Sequence, residues 1–127
     1  MMLKDDFFKI NSCLLTAENE LEANIRINPD HKIFKGHFPE NPVVPGVVSV
    51  QIINEILSHH LKLALMTSSA KSIKYISMIV PNMQPVINYH IKFSETENGE
   101  FKVIAIAGFE DTVFVKFNGS FKVSENN

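Results

Sequence analysis

The chain is organised around the segment FKGHFPENPVVPGV, residues 34–47. It contains three of the six prolines and two of the five glycines of the chain. Proline fixes φ and forces the residue before it into extended geometry, whereas glycine lets other groups approach the backbone closely. Because proline is favoured in the first turn of a helix, Pro45-Gly46 predicts a helix start. The stretch is therefore expected to be a stiff loop that presents His37 and leads into a helix.

A helix is predicted over residues 46–65, directly after this loop. Polar side chains fall on one stripe at helical spacing, which is typical of an amphipathic helix with a wide apolar face. Val47 and Val48 interrupt this stripe, so the first turn is expected to be buried on all sides. The N–H groups of a helix N-terminus lack intrahelical partners and can bind an incoming oxygen atom. The polar stripe consists of Gln51, Asn54, Glu55, Ser58 and Lys62.

Alternation of apolar and polar residues predicts strands on both sides of the helix. Two runs before it are joined by a short turn and predict a hairpin. Four runs after it are also joined by short turns, which predicts an antiparallel meander. Two strands, a helix and four strands predict an α+β fold with the helix packed against the sheet. The predicted strands cover residues 10–17, 20–28, 72–80, 86–94, 101–108 and 113–123.

Length and composition indicate one globular domain, residues 1–127. The formal net charge of −2 argues against nucleic-acid binding, which normally requires a basic patch. The N-terminus lacks the apolar run of a signal peptide, and no window reaches the ~18 apolar residues of a membrane span. The single cysteine, Cys13, excludes an internal disulfide and a multi-cysteine zinc site. We therefore expect a cytoplasmic protein without a membrane span.

The loop and helix start carry a recognisable motif, Gly36-His37-Phe38-Pro39, then Pro42, then Pro45-Gly46-Val47. In residue types and spacing this motif resembles the active-site signature of the β-hydroxyacyl-(acyl carrier protein) dehydratases of the FabA/FabZ type. The resemblance implies a hotdog fold, in which an antiparallel sheet wraps around one long helix. It also implies a dimer with active sites at the subunit interface.

The resemblance implies a role for each motif residue. Dehydration of a 3-hydroxyacyl thioester needs a base of near-neutral pKa for the Cα proton, and His37 is the expected base. The thioester carbonyl gains negative charge and needs N–H donors, and the backbone N–H of Gly46 is the expected donor. Phe38, Pro45 and Val47 are expected to bind substrate. Phe38, Val43, Val44 and Val47 could line an acyl-chain tunnel, with ordinary core packing as the alternative.

The sequence departs from the family at the helix position that carries the family's acidic residue. The family places Asp or Glu on the helix fourteen residues after the histidine, where this chain has Gln51. A carboxamide can hydrogen-bond the leaving hydroxyl but cannot deliver a proton at neutral pH. Gln51 could orient the hydroxyl while His37 moves both protons, Glu55 could serve as the acid, or a partner subunit could bring a carboxylate. The commoner expectation for Glu55 is a solvated or ion-paired residue.

The function predicted from this resemblance is reversible dehydration of a 3-hydroxyacyl thioester, carried on acyl carrier protein, to the trans-2-enoyl thioester. Two alternatives stay open. Because of Gln51, the chain could be a non-catalytic or partner hotdog subunit that binds acyl thioesters or acyl carrier protein. Because one fold supports several chemistries, it could also be a hotdog thioesterase.

The same resemblance predicts which proteins the chain binds. A homodimer or a higher oligomer of dimers is expected, with a heterodimer with another hotdog chain as a possibility. Lys35, Lys71 and Lys74 could meet the acidic surface of acyl carrier protein, although scattered surface lysines are the commoner explanation. Neighbouring helix residues point ~100° apart, so His59 and His60 cannot chelate one ion. No metal and no cofactor are expected.

Overall fold

The computed structural model describes residues 2–35 and 42–124, which form a six-stranded antiparallel sheet and one main helix. The strand order in the sheet is β1-β2-β4-β5-β6-β3. The α+β architecture predicted from alternation is confirmed. The strands are β1 (Phe8–Ala17), β2 (Glu20–Ile27), β3 (Leu65–Tyr75), β4 (Val86–Glu95), β5 (Phe101–Phe109) and β6 (Thr112–Val123), and the helices are α1 (Lys32–Lys35) and α2 (Gly46–Leu61).

The helix α2 packs on the buried face of the sheet. Alternate residues of β4 and β5 point to this face and meet Ile52, Ile53 and Ile56 in one core. Tyr89 of β4 fixes the helix at one point, because its hydroxyl donates a hydrogen bond to the Ser49 carbonyl oxygen at 3.0 Å. Complete burial raises the pKa of Tyr89, so the phenol stays protonated and remains a donor.

The helix is shorter than predicted. It ends at Leu61 rather than at residue 65, because Lys62 adopts the left-handed conformation (φ 57°) and donates its N–H to the Ser58 carbonyl oxygen. A left-handed residue at this position is a common helix terminator. The strand β3 then begins at Leu65, so the predicted strand over 72–80 was wrong in its bounds. Within β3 only Leu65 is buried, so buried and exposed residues do not alternate. The bounds of this strand could therefore not be predicted from alternation.

The predicted meander is correct for β4, β5 and β6 and wrong for β3. Instead of pairing with β4, β3 lies at the far edge of the sheet and pairs with β6, while β4 pairs with β2. The connection over residues 76–85 spans the distance from this edge back to β4 and contains Pro81 and Pro85. Proline cannot donate to a strand ladder, which favours a crossing loop over a tight hairpin.

None of the helices formed by residues 2–35 and 42–124 is both long and apolar enough to cross a membrane.

The outer face of the sheet carries a histidine between two carboxylates. The His90 ring on β4 contacts Glu22 through Nδ1 and Glu20 through Nε2, the latter at 3.1 Å. Lys92 Nζ lies 3.7 Å from the same Glu20 oxygen. The Glu22 hydrogen bond, and then Glu20, raise the pKa of His90 above its ordinary value of 6.5, although partial burial opposes the shift.

We expect His90 to make stability depend on pH. Because its pKa is raised on folding, protonated His90 stabilises the folded chain fully below about pH 6.5, and this contribution disappears as pH rises through the raised pKa. His90→Gln should therefore lower the free energy of unfolding by less than about 1 kcal/mol near pH 6, and by less still at pH 8. Urea denaturation at both pH values measures the difference. The exposed His59→Gln is the control, and an equal effect of His90→Gln at both pH values would contradict the prediction.

Candidate active site

The start of α2 has the geometry predicted from the Pro-Gly pair. Pro45 is extended (φ −58°, ψ 142°) and the helix begins at Gly46. The Pro45 carbonyl oxygen accepts hydrogen bonds from the N–H groups of Val48 at 3.0 Å and Ser49 at 3.2 Å. No side chain of the described residues caps the helix, and the Ser49 hydroxyl donates to the Gly46 carbonyl oxygen at 2.6 Å. The first-turn N–H groups thus lie at the positive end of the helix dipole.

An apolar pocket of about 390 Å³ lies beside this helix start. One wall is the end of β3, where the Tyr75 ring lies directly against Gly46. A Cβ atom on residue 46 would come within 2.7 Å of the Tyr75 ring, so glycine allows the ring to lie this close to the helix start. The remaining lining comes from residues before the helix, from α2 itself, from the segment after β3 and from β6: Val43, Val44, Pro45, Ser49, Ile76, Ser77, Met78, Ile79, Phe114 and Val115.

Gln51 and Glu55 meet one turn further along α2. The Gln51 Nε2 donates to Glu55 Oε2 at 2.9 Å. The two Glu55 oxygens also accept the backbone N–H groups of Leu3, at 2.8 and 2.9 Å, and of Lys4, at 2.7 Å. Glu55 is only 5% exposed, so the expectation of a solvated residue on the polar helix face was wrong. The N-terminal segment covers this part of the helix and supplies donors that compensate for burial of the carboxylate.

The rest of the polar stripe ties the helix to the start of β3. Asn54 is buried, and its Nδ2 donates to the Leu65 carbonyl oxygen at 2.9 Å. The Ser58 hydroxyl donates to Asn54 Oδ1 at 3.0 Å and accepts the Leu65 N–H at 3.3 Å. The stripe therefore faces protein more than solvent, because its side chains hold the turn between α2 and the edge strand.

The structure places the predicted site residues in two separate pockets of one chain. Pro45 and Gly46 line the pocket at the helix start, whereas Gln51 and Glu55 line a second pocket of about 330 Å³. Val47 is 73% exposed, which contradicts the expectation of a first turn buried on all sides. Its neighbour Val48 is buried, so only one side of the turn faces the core.

His37 and Phe38 lie outside the described residues, and their predicted roles stay predictions. Val43 and Val44, from the same loop, do line the pocket at the helix start, and Val44 is 6% exposed. Among the described residues, no group of three or more His, Cys, Asp or Glu side chains could hold a metal ion.

Two components of the site could not be predicted from the sequence. Tyr75 belongs to an edge strand without alternation, and only the pairing of β3 with β6 brings its ring to Gly46. The N–H groups of Leu3 and Lys4 are backbone atoms, and residue type does not reveal which side chain they will bind. Buried Leu3 and Phe7 were the available hints, since apolar residues near a terminus can anchor it to the core.

The six-stranded antiparallel sheet packed on one main helix is the architecture of a hotdog fold, here with a helix N-terminus at an apolar pocket and a polar pair one turn on. A family model described as ApeI-like, ApeI dehydratase, matches residues 14–116. The chain therefore belongs to the ApeI-like dehydratase family. This confirms the FabA/FabZ-type resemblance at the level of the family.

One relative from the same family type agrees with this membership. A 3-hydroxyacyl-[acyl-carrier-protein] dehydratase FabZ from Wolinella succinogenes is 43% identical over 37 residues. That match covers 29% of this chain and only 24% of the relative's length.

Two solved structures share the fold. The dehydratase heterocomplex ApeI:P from Xenorhabdus doucetiae gives a TM-score of 0.71 at 18% identity, covering 87% of this chain and 95% of the other. An uncharacterized protein from Erwinia carotovora subsp. atroseptica gives a TM-score of 0.56 at 20% identity, covering 91% of each chain.

Proposed function

We propose that this chain is a 3-hydroxyacyl-(acyl carrier protein) dehydratase. It reversibly removes water from a 3-hydroxyacyl thioester, forming the trans-2-enoyl thioester in fatty-acid or related acyl-chain biosynthesis. Membership of the ApeI-like dehydratase family supports the reaction class. In this proposal residues 1–127 are one hotdog domain that works in the cytoplasm without a cofactor.

The observation that carries the proposal is the apolar pocket at the N-terminus of α2. Ile76 and Met78 line it while remaining 52% and 72% exposed, so they offer apolar surface to an acyl chain. In this proposal the Gly46 N–H, at the helix start, stabilises negative charge on the thioester carbonyl oxygen. An apolar wall beside such a donor suits a substrate with an aliphatic chain and a polarised carbonyl.

The proposed chemistry uses His37 for both proton transfers. His37 takes the Cα proton, the Cβ–O bond breaks as the Cα–Cβ double bond forms, and the imidazolium returns the proton to the departing hydroxide, which leaves as water. Gln51 orients the hydroxyl without donating a proton. This assignment is favoured over Glu55 as the acid, because both Glu55 oxygens already accept hydrogen bonds from the protein.

A second candidate function is that of a partner subunit in a two-chain dehydratase. Gly46 and Gln51 line different pockets of the same chain, which favours active sites completed by a second subunit. That subunit would be another copy, in a homodimer or a higher oligomer, or a different hotdog chain. The exposed Val47 and the exposed edge strand β3 are accessible to such a partner. The solved relative named as a dehydratase heterocomplex supports the heteromeric form.

An acidic carrier protein fits the charge distribution on the sheet. The strands β3, β5 and β6 contain five lysines and no acidic residue, although the whole chain has a net charge of −2. Lys71 and Lys74 on β3 belong to this group and are exposed, as is Lys35 of α1. A local excess of positive charge steers an acidic partner toward this face.

Hydration of a short trans-2-enoyl thioester, loaded on acyl carrier protein, tests the function. The purified chain and the assembly recovered from its native source are assayed by loss of the conjugated-enoyl absorbance, with a thiol trap in parallel. Hydration by the chain alone supports the dehydratase, and hydration only in a hetero-assembly supports the partner subunit. Release of free thiol without hydration would identify a thioesterase, and absence of both reactions would reject the dehydratase proposal.

A further inference from the structure

Two pockets of this chain share two side chains. The pocket at the helix start, about 390 Å³, and a further pocket of about 470 Å³ are both lined by Met78 and Phe114. We call the further one the turn pocket, because it includes the turn between β5 and β6. Met78 and Phe114 therefore form the boundary between two adjacent pockets. The other residues that line the turn pocket are Val80, Met83, Gln84, Phe109, Glu110, Asp111 and Thr112.

Phe114 lies at a β-bulge in the pairing of β5 with β6. Ala107 pairs with Val115 and Gly108 pairs with Val113, so Phe114 is an extra residue that the register skips. A bulge of this kind bends the strand and changes the direction in which a side chain points. Phe114 and Val115 are accordingly both buried, whereas neighbours in a regular strand point to opposite faces. The bulge thus directs the Phe114 ring to the boundary of the two pockets.

The connection after β3 is fixed against this bulge. The Phe114 carbonyl oxygen accepts the Ile76 N–H at 2.8 Å. Three residues further along, the Ile79 carbonyl oxygen accepts the Val44 N–H at 2.9 Å, just before the start of α2. Backbone hydrogen bonds therefore hold the chain on both sides of Met78, and this residue keeps its place at the boundary.

The two boundary side chains differ in how freely they move. Phe114 is 6% exposed, so close packing holds its ring in one position. Met78 is 72% exposed, and methionine is an unbranched side chain with three rotatable bonds. The boundary consequently has a rigid part and a movable part.

The surface beyond the boundary suits the end of an uncharged aliphatic chain. Val80, Met83 and Phe109 give the turn pocket apolar surface. The exposed Glu110 and Asp111 line it as well, and their carboxylates disfavour a chain that ends in an acid. The space past Phe114 is therefore able to hold additional methylene groups.

We propose that Phe114 and Met78 set the length of the acyl chain that the site accepts, by separating the pocket beside Gly46 from the turn pocket. This rests on the proposed dehydratase function. The carbons next to the thioester occupy the pocket at the helix start, and a longer chain meets the Phe114 ring. Each methylene buried against apolar surface strengthens binding by about fourfold. The position of the ring therefore decides which chain length is bound best.

Binding is tested apart from the reaction, with saturated butanoyl, octanoyl and dodecanoyl pantetheine thioesters. These chains cannot be hydrated, so calorimetry on the whole chain and on its native assembly measures affinity alone. Phe114→Ala and Met78→Ala should each raise the affinity for dodecanoyl relative to butanoyl by about 10-fold or more, because methylenes then reach the turn pocket. Unchanged ratios in both variants, or no binding of any of these thioesters, would overturn the proposal.

Phe101→Ala is the matched control. Phe101 is also 6% exposed, but it lies at the opposite end of β5 and lines neither of the two pockets. Its loss should reduce stability as much as the loss of Phe114 while leaving the affinity ratio unchanged. If Phe114→Ala does not fold, Phe114→Leu replaces it and should shift the ratio in the same direction by less. Met78→Ala should fold in any case, because its side chain is exposed.

The hydration assay tests the same boundary during turnover. With trans-2-butenoyl and trans-2-dodecenoyl thioesters, Phe114→Ala should raise the ratio of kcat/KM for the long chain over the short chain by about 10-fold or more. The same ratio should stay within about twofold of wild type in Phe101→Ala. A shift of equal size in both variants would show that loosened packing, and not the boundary, changes the chain length.

The two experiments separate this inference from the proposed function. A shifted length preference in binding, without hydration by the chain or its native assembly, would reject the dehydratase and leave the boundary. Hydration with the same length profile in wild type, Phe114→Ala and Met78→Ala would reject the boundary and leave the dehydratase.

Discussion

Replacement of His37 by alanine is expected to lower the rate of enoyl-thioester hydration by about 10²- to 10⁴-fold, the usual contribution of a general acid–base group. The loss is expected to be large because the proposed mechanism gives His37 both proton transfers, with Gln51 unable to replace it. The measurement is kcat and kcat/KM from the decay of enoyl absorbance, with circular dichroism to verify that the variant is folded. Binding of the thioester should change much less than kcat.

His90→Ala is the matched control for this prediction. His90 is partly exposed and lies on the outer face of the sheet between Glu20 and Glu22, away from α2. Its replacement should leave hydration within about twofold of wild type. If His37→Ala and His90→Ala lose activity equally, or if His37→Ala keeps the wild-type rate, His37 is not the base.

Gly119→Ala is expected to destabilise the chain by about 1–3 kcal/mol, the usual cost of forcing extra volume into a packed region. A Cβ atom on residue 119 would lie 2.4 Å from the Ser69 carbonyl oxygen and 2.6 Å from the Phe117 ring. The carbonyl belongs to the backbone of β3, so the clash can only be relieved by separating β3 from β6. Thermal and urea denaturation measure the loss.

Gly46→Ala gives the contrasting case. Its Cβ would also come within 2.7 Å of another atom, but that atom lies at the end of the Tyr75 side chain, which is 56% exposed and can swing away. We expect a loss of stability below about 1 kcal/mol at this site. Equal destabilisation by Gly46→Ala and Gly119→Ala would contradict the prediction, because a clash with backbone should cost more stability than a clash with a movable side chain.

The strands that face both core and solvent were predictable from the sequence, and the edge strand was not. In β4, Ile87, Tyr89 and Ile91 are buried and alternate with polar residues, because one face packs on α2 and the other meets water. In β3 only Leu65 is buried, since the strand is held by backbone hydrogen bonds to β6. Backbone pairing leaves no pattern in side-chain types, so neither the bounds nor the place of β3 could be predicted.

The end of the helix was missed for a related reason. Apolar residues continue past Leu61, and only the left-handed conformation of Lys62 ends α2. Lysine has no special preference for that conformation, whereas glycine or asparagine would have signalled the end. The start was predicted correctly because Pro45 fixes its own φ angle and proline is favoured where a helix begins.

For the proposed site as well, some features could be predicted from the sequence and others could not. The motif from Gly36 to Val47 indicated the dehydratase family without any structure, because its residue types and their spacing match the active-site signature of that family. The sequence also showed that Gln51 stands where the family has an acid. Both inferences depend only on residue type and spacing along the chain.

The surroundings of those residues, in contrast, depend on contacts between distant parts of the chain. Glu55 was expected on a solvated face, yet the chain's N-terminus folds over it and binds it with the N–H groups of Leu3 and Lys4. Tyr75 reaches Gly46 only because β3 crosses to the far edge of the sheet. Local residue preferences act over a few positions, whereas these contacts join residues that are 52 and 29 positions apart. They exist because the whole core, once packed, brings distant backbone segments together.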